Sequence, residues 1–350
     1  MTAPDLRNHA SMNELEPDHS MPESHMPKTG LAASAFVQNA RAQENTVRAH
    51  FNDDRHSQSI TRQALSLGAR ITLKRSTVFC LRFAYHPILA IRWLSFLSIY
   101  ANHLSLGRPN DDLLRKSVGT FLLHRASNRA RLHLLMDHFR LSRRLLHVND
   151  LRTLWSGETV DGGMVEGRHE RYRVRLRLAD HCGGRHEGVF AAQLLRERDN
   201  HALWTASFIF ADHNHSGPTI VIGGMQGPKG EMAKQSLITA TRSLNGLRPK
   251  DAILLVLQGM AAKSKISEIM AVSNIKHAIN QRRRKRRRMM LANLDAYWLE
   301  RSGSPCEPFG FSLPVLSTFS AEGAKRREKS KQDFWEAGNR LAKYHDISEL

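Results

Sequence analysis

The chain has 350 residues and a formal net charge of +19 at neutral pH, because 52 lysines and arginines outweigh 33 aspartates and glutamates. Its length suffices for one large domain or two ordinary ones. Its charge predicts attraction to an anionic partner, such as phospholipid headgroups, nucleic acid or a phosphorylated cofactor, without choosing among them. A basic surface that has no specific partner is an equally open interpretation.

Three cysteines, Cys80, Cys182 and Cys306, lie far apart and form neither a CxxC pair nor a Cys/His ligand spacing. Such a sparse, odd set argues against a disulfide scaffold and a structural zinc site, so we predict no metal and a reducing compartment. Residues 1–50 carry no secretory signal, and the one membrane candidate, 78–104, is interrupted by charges and a proline. We therefore expect a cytoplasmic protein without a transmembrane segment, either free in solution or peripheral to the inner membrane.

Composition and periodicity divide the chain into three regions. Residues 1–54 are polar with scattered prolines, which is typical of a disordered tail, whereas residues 55–150 place apolar side chains at helical spacing. Residues 151–350 are predicted to form an α+β core. Within the helical region we predict one helix over 113–122 and another over 125–146.

The outer side of the helix at 125–146 is strongly basic. It is either a solvated face or a surface that docks on anionic lipid or polyphosphate. The arginines on this side are Arg129, Arg131, Arg140, Arg143 and Arg144.

The core begins with a change to period two. At 172–178 apolar side chains alternate with three arginines, which is the pattern of a strand with one buried face. Further strands at 189–195, 203–211 and 219–225 follow after short polar turns. Short connections between strands predict an antiparallel meander.

Two helices, at about 231–244 and from Pro249 onward, separate the meander from a near-continuous apolar run at 266–273. A strand, a helical connection and a second strand imply a parallel crossover. A loop at 302–307, a strand at 309–316 and a basic helix at 323–343 complete the prediction. The expected fold class is α+β, in which a helical N-terminal half precedes a mixed sheet with an antiparallel meander and a parallel crossover.

A Gly/Pro-rich turn at 226–230 ends the fourth strand and opens the first helix of the crossover. A glycine-rich turn at a helix start can hold an anion, because free backbone N–H groups and the helix dipole converge there. The alternative is that the glycines only permit a tight turn and close packing. The candidate cofactor ligands are Gln226, Gly227, Lys229 and Gly230.

A run of seven consecutive cations follows the crossover. As a lipid site, each cation near an anionic surface contributes ~1 kcal/mol. A solvated linker is as open an interpretation as a lipid site. Nucleic acid ranks third, because the chain lacks a helix-turn-helix, a zinc spacing and RNP-like aromatics. The run consists of Arg282, Arg283, Arg284, Lys285, Arg286, Arg287 and Arg288.

Several short segments in a fixed order carry a family resemblance. They are Arg115-Lys116, Asp137-His138-Phe139, 222–227, 245–250, 272–274 with His277, 295–300, 311–314 and Lys325-Arg326-Arg327. Together they resemble the bacterial VirK/YbjX family, whose biochemical function is unknown, over about residues 66–344. The resemblance implies a role in virulence, envelope integrity or resistance to cationic peptides. The polar N-terminus and the dense arginine run depart from the family pattern.

The predicted order of elements is similar to that of the N-acetyltransferase fold. In that fold the loop at 226–230 would hold the pyrophosphate of acyl-CoA or the group of an acyl-carrier protein, which makes either one the implied cofactor. Two features depart from the pattern. Pro228 removes one backbone donor, and two helices rather than one separate the parallel strands.

Catalytic candidates follow the second parallel strand and occupy the next helix. His277 would act as a general base, Tyr297 as a proton donor to a leaving thiolate, and Glu300 as a base. Tyr297 and Glu300 lie three residues apart and share a helix face. The alternative is that His277 is structural and Tyr297 belongs to the core, since no set of nucleophile, base and orienting residue is readable.

Two functions of different classes follow. The first is a cytoplasmic VirK/YbjX-type protein that supports envelope function or virulence, with acyl transfer as its chemistry. The second is a non-enzymatic binding or regulatory protein that uses its basic surface on anionic lipid or nucleic acid. The sequence gives no indication of the oligomeric state.

Overall fold

The computed structural model of the chain describes residues 85–116, 119–212, 217–281, 293–319 and 325–343. The tail predicted at 1–54 therefore lies outside the described residues. Helices come first along the described chain, as expected, and the sheet follows. The helices before the sheet are α1 (Pro87–Leu104), α2 (Asp111–Leu114), α3 (Asn128–Leu145) and α4 (Val148–Ser156).

Eight described strands form one mixed sheet in the order β1-β2-β3-β4-β5-β6-β8-β7. Strands β1 to β5 pair antiparallel with their neighbours in sequence, β5 and β6 are parallel, and β8 is antiparallel to both β6 and β7. The predicted α+β class, with its meander and parallel pair, is thus confirmed. The strands are β1 (Val160–Glu166), β2 (Arg171–Leu178), β3 (Phe190–Arg196), β4 (His201–Asp212), β5 (Pro218–Gln226), β6 (Glu268–Val272), β7 (Ser304–Cys306) and β8 (Gly310–Pro314).

Two edge strands differ from the sequence prediction. Strand β1 was not predicted because its alternation is broken by a bulge between Asp161 and Gly163, where Gly163 has φ +100°. The predicted loop at 302–307 is wrong, since it contains the short strand β7. A three-residue strand at an edge pairs with one neighbour only, which leaves too short a pattern to recognise.

The crossover between β5 and β6 contains α5 (Ala233–Ser243) and α6 (Pro249–Lys263), and the chain later adds α7 (Leu294–Glu300) and α8 (Arg326–Arg340). Helix α6 is apolar on nearly every side, because it contacts strands β3 to β6 on one side and α8 on the other. A Cβ at Gly259 would lie 1.8 Å from the Trp335 carbonyl oxygen, and one at Gly338 would lie 1.9 Å from the Val256 oxygen. The two helices therefore approach to backbone contact at two glycines.

The helix predicted over 113–122 is wrong, because α2 ends at Leu114. Lys116 is buried, and its Nζ contacts Asp180 Oδ2 at 2.5 Å and donates to the Gly188 oxygen at 2.7 Å. Leu122 then adopts φ 55°. A buried ammonium must be paired, and Lys116 finds its partners in the distant segment at 180–188, directly after the helix ends.

The basic side of α3 is smaller than predicted. Arg131 is only 1% exposed, and its guanidinium donates to the backbone oxygens of Leu123 and Gly119 at 2.9 Å. This arginine therefore holds the loop before α3 and is not part of a solvated face. At α1, Pro87 stands in the first turn and begins the helix, which is where proline's fixed φ is tolerated.

No helix within the described ranges is long and apolar enough to cross a membrane.

Candidate functional site

The carboxyl ends of the parallel strands β5 and β6 lie side by side, in the position where open α/β sheets commonly bind ligands. We call this region, residues 223–226 and 272–274, the carboxyl edge. The two strands pair only over Ile220–Ile222 and Ile269–Ala271. Two clusters of polar and aromatic side chains occupy the carboxyl edge beyond that pairing.

The first cluster fills the space beside the glycine pair of β5. A Cβ at Gly223 would lie 1.8 Å from the Glu187 backbone oxygen and 2.6 Å from Leu122 Cδ1. One at Gly224 would lie 2.3 Å from Glu187 Oε2. The two glycines are therefore needed for close packing of the segments at 122 and 187 against β5. The part of the carboxyl edge beside these glycines is closed by protein atoms.

Glu187 connects two of the candidate residues in this first cluster. Its Oε2 accepts a hydrogen bond from Gln226 Nε2 at 2.8 Å, and its Oε1 lies 3.7 Å from His277 Nε2. His277 is buried, and its Nδ1 accepts from the Ile279 amide at 3.2 Å. Burial lowers the pKa of His277 to about 4, although its hydrogen bond with the Gly223 backbone acts in the opposite direction. His277 is therefore neutral at pH 7, with both ring nitrogens in contact with protein groups.

The second cluster surrounds the amine of Lys250 in the first turn of α6. Lys250 Nζ lies 3.4 Å from the ring centroid of Tyr297 and 5.9 Å from that of Trp204. Gly227 packs on the same tryptophan, since a Cβ there would lie 2.8 Å from Trp204 Cζ3. Burial lowers the pKa of Lys250 to about 8. This cluster thus joins the Gly/Pro turn to a partly exposed amine that is substantially neutral near pH 8.

Asp251 fixes Tyr297 in the second cluster. The Tyr297 hydroxyl donates to Asp251 Oδ1 at 3.1 Å. The same carboxylate accepts hydrogen bonds from Arg301 Nη2 at 2.6 Å and from Arg248 Nε at 2.8 Å. Burial raises the pKa of Tyr297. The phenol is therefore a neutral donor already engaged with a carboxylate. Glu300 lies at the rim, where it accepts from Arg248 at 2.8 Å and its side chain is 51% exposed.

The end of β6 positions helix α7 and hence Tyr297. The Asn274 amide donates to Asp295 Oδ1 at 2.7 Å, and Asn274 Oδ1 accepts from the Leu294 amide at 3.2 Å. Trp298 Nε1 donates to the Val272 oxygen at 3.3 Å. These bonds attach the start of α7 to the carboxyl edge, so that the tyrosine reaches the first turn of α6.

The four candidate cofactor ligands separate into three environments. Gln226 belongs to the first cluster and Gly227 to the second, whereas Lys229 and Gly230 are exposed. Gly230 has φ +96°, and a Cβ there would meet no atom within 4 Å. The helix predicted from residue 231 begins at Ala233, so the turn does not lead directly into its N-terminus.

The predicted cationic run at 282–288 lies outside the described residues. Within the described part of the chain, no group of three or more His, Cys, Asp or Glu side chains is arranged to hold a metal ion.

Sequence reasoning missed several members of these clusters. In the sequence, Lys250 stands out only as part of the segment at 245–250. The signal that could have identified it is its position directly after Pro249, which begins a helix. Asp251 follows it directly. Glu187 and Trp204 gave no signal, because their roles depend on which strands are neighbours in the sheet.

A family model described as "Protein of unknown function (DUF535)" matches residues 69–323, which include both clusters. The chain belongs to this family. The DUF535 chain is similar to "Uncharacterized protein YbjX" of Escherichia coli (strain K12), with 24% identity over 231 residues that cover 65% of this chain and 68% of that protein. The family predicted from the sequence segments is thereby confirmed.

A second relative of the DUF535 chain is an "Uncharacterized protein" of Haemophilus influenzae (strain ATCC 51907 / DSM 11121 / KW20 / Rd). It is 27% identical over 132 residues, which cover 37% of this chain and 42% of the relative. No solved structure matches the chain. The similarity of its element order to N-acetyltransferases therefore stays a prediction.

Proposed function

We propose that this DUF535 protein catalyses acyl transfer at the carboxyl edge, in support of the bacterial envelope. The observation that carries the proposal is the Lys250 amine, which lies 3.4 Å from the Tyr297 ring centroid and beside the tryptophan that supports Gly227. An amine of lowered pKa is a suitable general base near neutral pH. A glycine turn beside it offers backbone donors to a donor phosphate.

The proposed reaction needs one base and no redox partner. The neutral Lys250 amine accepts the proton of an acceptor amine or hydroxyl while that nucleophile attacks the thioester carbonyl carbon. The new bond to carbon forms, the carbon–sulfur bond breaks, and the leaving thiolate takes the proton back from the Lys250 ammonium. Tyr297 orients the Lys250 amine through its ring. The ring is itself held in place, because its hydroxyl donates a hydrogen bond to Asp251 Oδ1 at 3.1 Å.

The donor would bind on the exposed part of the turn. Lys229 is exposed and supplies a positive charge, and Gly230 leaves open space beside its backbone. The filled space beside Gly223 and Gly224 argues against a donor inserted between β5 and β6. A donor lying over the outside of the turn, with its thioester toward Lys250, agrees with both observations.

The envelope role rests on the family resemblance and not on the site. An acyl group transferred from acyl-CoA or acyl-carrier protein is a building unit of lipids, so the proposed chemistry and the implied role are compatible. The substrate that accepts the acyl group is outside the proposal.

Binding of the donor is tested by thermal unfolding of the full chain with acetyl-CoA, a long-chain acyl-CoA or acyl-carrier protein. We expect one donor to raise the Tm and Lys229→Glu to remove most of that rise. The matched control is Lys329→Glu, which reverses the charge of an exposed lysine on α8. Gly227 is unsuitable for this purpose, because any side chain there would strike Trp204. No Tm shift with any donor would reject the acyltransferase and leave the non-enzymatic binding function.

Chemistry is tested by the release of free thiol from the donor that binds. In the wild type the rate should rise with pH around a midpoint of about 8, because the Lys250 amine must lose its proton. Lys250→Met should lower the rate about 100-fold, the lower range for a general base, while the donor-induced Tm shift remains. An unchanged rate in Lys250→Met would remove this lysine from the mechanism.

A further inference from the structure

Strand β2 presents four arginines on one side of the sheet. The outermost, Arg171, pairs with Glu197, and we call the other three, Arg173, Arg175 and Arg177, the arginine face. The opposite side of the strand is fully buried: Tyr172, Val174, Leu176 and Leu178 are each 0% exposed. Side chains two residues apart on a strand point the same way and stand about 7 Å apart. The three guanidinium groups of the arginine face are therefore neighbours.

The positive charge of the arginine face is not balanced by described carboxylates. Arg173 lies 3.8 Å from Glu197, but that glutamate also pairs with Arg171 at 2.7 Å. Asp161 is the β1 residue opposite Arg175, yet its carboxylate accepts the Gly163 amide at 2.8 Å. Within the described part of the chain, neither Arg175 nor Arg177 has an ion pair.

Neighbouring strands hold the arginine face in place. Arg175 Nε donates to Gln193 Oε1 at 3.1 Å, and Gln193 Nε2 donates to Thr205 Oγ1 at 3.0 Å. Gln193 and Thr205 are 4% and 6% exposed, so this chain of hydrogen bonds is rigidly packed. It uses only the Nε atom of Arg175, and the residue stays partly exposed. An arginine fixed in this way loses little conformational entropy when it binds an anion.

The arginine face also contains buried donors without acceptors. The Nε atoms of Arg173 and Arg177 are buried and have no hydrogen-bond partner among the described residues. A buried donor without an acceptor is unfavourable, and guanidinium groups without counter-charges repel one another. An oxyanion with several acceptor oxygens satisfies both requirements, and planar guanidinium groups match phosphate geometry.

We propose that the arginine face is a binding site for the phosphate or diphosphate group of a soluble small molecule, with Arg175 and Arg177 as its principal ligands. Arg175 and Arg177 are only partly exposed, because Arg175 Nε donates to Gln193 beside the strand and Arg177 Nε is buried. A compact anion reaches such groups more readily than a flat bilayer or a duplex does. Lys250 packs on Trp204, which pairs through Leu194 with Val174 on the opposite, buried side of the sheet. The proposal therefore does not depend on the proposed acyl transfer.

The test is isothermal titration of the full chain with inorganic pyrophosphate. We expect saturable binding that weakens at least tenfold in Arg175→Gln/Arg177→Gln. The matched control is Arg171→Gln/Arg198→Gln, which removes the same number of positive charges. These two arginines already have ion pairs, Arg171 with Glu197 and Arg198 with Glu170. This control should change the affinity less than twofold. Equal weakening in both double variants would overturn the site, because it would indicate general attraction to a basic protein.

A measurement on the wild type keeps the proposal testable if the double variant does not fold. Pyrophosphate should protect positions 175 and 177 from an arginine-specific dicarbonyl reagent, as read by peptide mass, while positions 171 and 198 stay reactive. Absence of protection would overturn the proposal. Two further arms use vesicles containing phosphatidylglycerol and single-stranded DNA. Protection by either of these but not by pyrophosphate would reject a soluble ligand and assign the face to that surface.

Discussion

At the scale of single residues, burial decides which polar groups are available for chemistry. His277 and Lys250 are both titratable groups at the carboxyl edge, and burial lowers the pKa of each. The consequence differs. Both ring nitrogens of His277 contact protein groups, whereas the amine of Lys250 contacts aromatic rings and is partly exposed. The histidine is thus suited to a structural role, and the lysine is suited to proton transfer.

His277 should make the protein sensitive to acid. Its pKa is about 4 in the folded protein against an ordinary value of 6.5, so between these values the unfolded chain binds a proton that the native state does not. Stability is therefore lost as pH falls through this window, by about 3 kcal/mol in total. His277→Gln should be less stable than the wild type at pH 7 but should lose less stability between pH 6.5 and 4.

Urea unfolding at pH 7 and pH 4.5 measures this difference. Buried His138, whose pKa burial also lowers, remains in both proteins and cancels from the comparison. Equal losses of stability in the wild type and in His277→Gln would contradict the assignment of a neutral, buried His277.

At the scale of elements, the contact between α6 and α8 explains why a long helix can be buried. Helix α6 has buried residues along its whole length and needs cover on the side away from the sheet. Helix α8 provides it, and Gly259 and Gly338 allow the two backbones to meet. Helix α8 also contacts β1, so it covers one end of the sheet as well.

Gly338→Ala should destabilise the protein by about 2 kcal/mol, as overpacking of a tight contact does. The added Cβ would lie 1.9 Å from the Val256 oxygen, which belongs to the backbone and cannot rotate away. Alanine favours helix by about 1 kcal/mol relative to glycine, so any loss must come from the contact. Glu336→Ala, on the same helix, should change the free energy of unfolding by less than half as much. Chemical denaturation measures both, and a Gly338→Ala protein as stable as the wild type would refute the contact.

At the scale of the whole molecule, a buried ion pair joins the predicted helical region to the predicted core. Lys116 belongs to residues 55–150 and Asp180 to residues 151–350, and their side chains are 1% and 2% exposed. Burial lowers the pKa of Lys116, and the charge of Asp180 opposes this shift. The division into these regions stays a prediction, but the ion pair indicates that they fold together.

Lys116→Met should cost about 3 kcal/mol, because it leaves the Asp180 carboxylate buried with Arg185, at 3.4 Å, as its one remaining cationic partner among the described residues. Lys116→Met/Asp180→Leu should recover most of that loss, since no unpaired charge remains. The measurement is urea unfolding followed by far-ultraviolet circular dichroism and by tryptophan fluorescence. One shared transition is expected for both probes. A helical signal that is lost separately from the core signal would contradict coupled folding of the two regions.

The sequence by itself determined the α+β class, the meander, the parallel pair and the family. These follow from local patterns: period two at 172–178, helical spacing in the crossover, and short motifs in a fixed order. It also placed the Gly/Pro turn at the carboxyl end of a parallel strand and named Tyr297, on a later helix, as a catalytic candidate. It did not reveal that Lys116 and Arg131 are buried, because the partners that compensate their charges lie in distant or irregular segments.

Only the tertiary structure decided which side chains meet. Lys250 contacts the Tyr297 ring although 47 positions separate the two residues in sequence, and Glu187 reaches Gln226 across 39 positions. Lys250 and Tyr297 lie on α6 and α7, and Glu187 lies in the segment before β3, so these contacts depend on how helices and loops pack at the carboxyl edge. Separation along the sequence gives no indication of that packing. The same reason explains the arginine face: its alternation was readable, but its lack of carboxylate partners depends on what β1 and β3 place beside it.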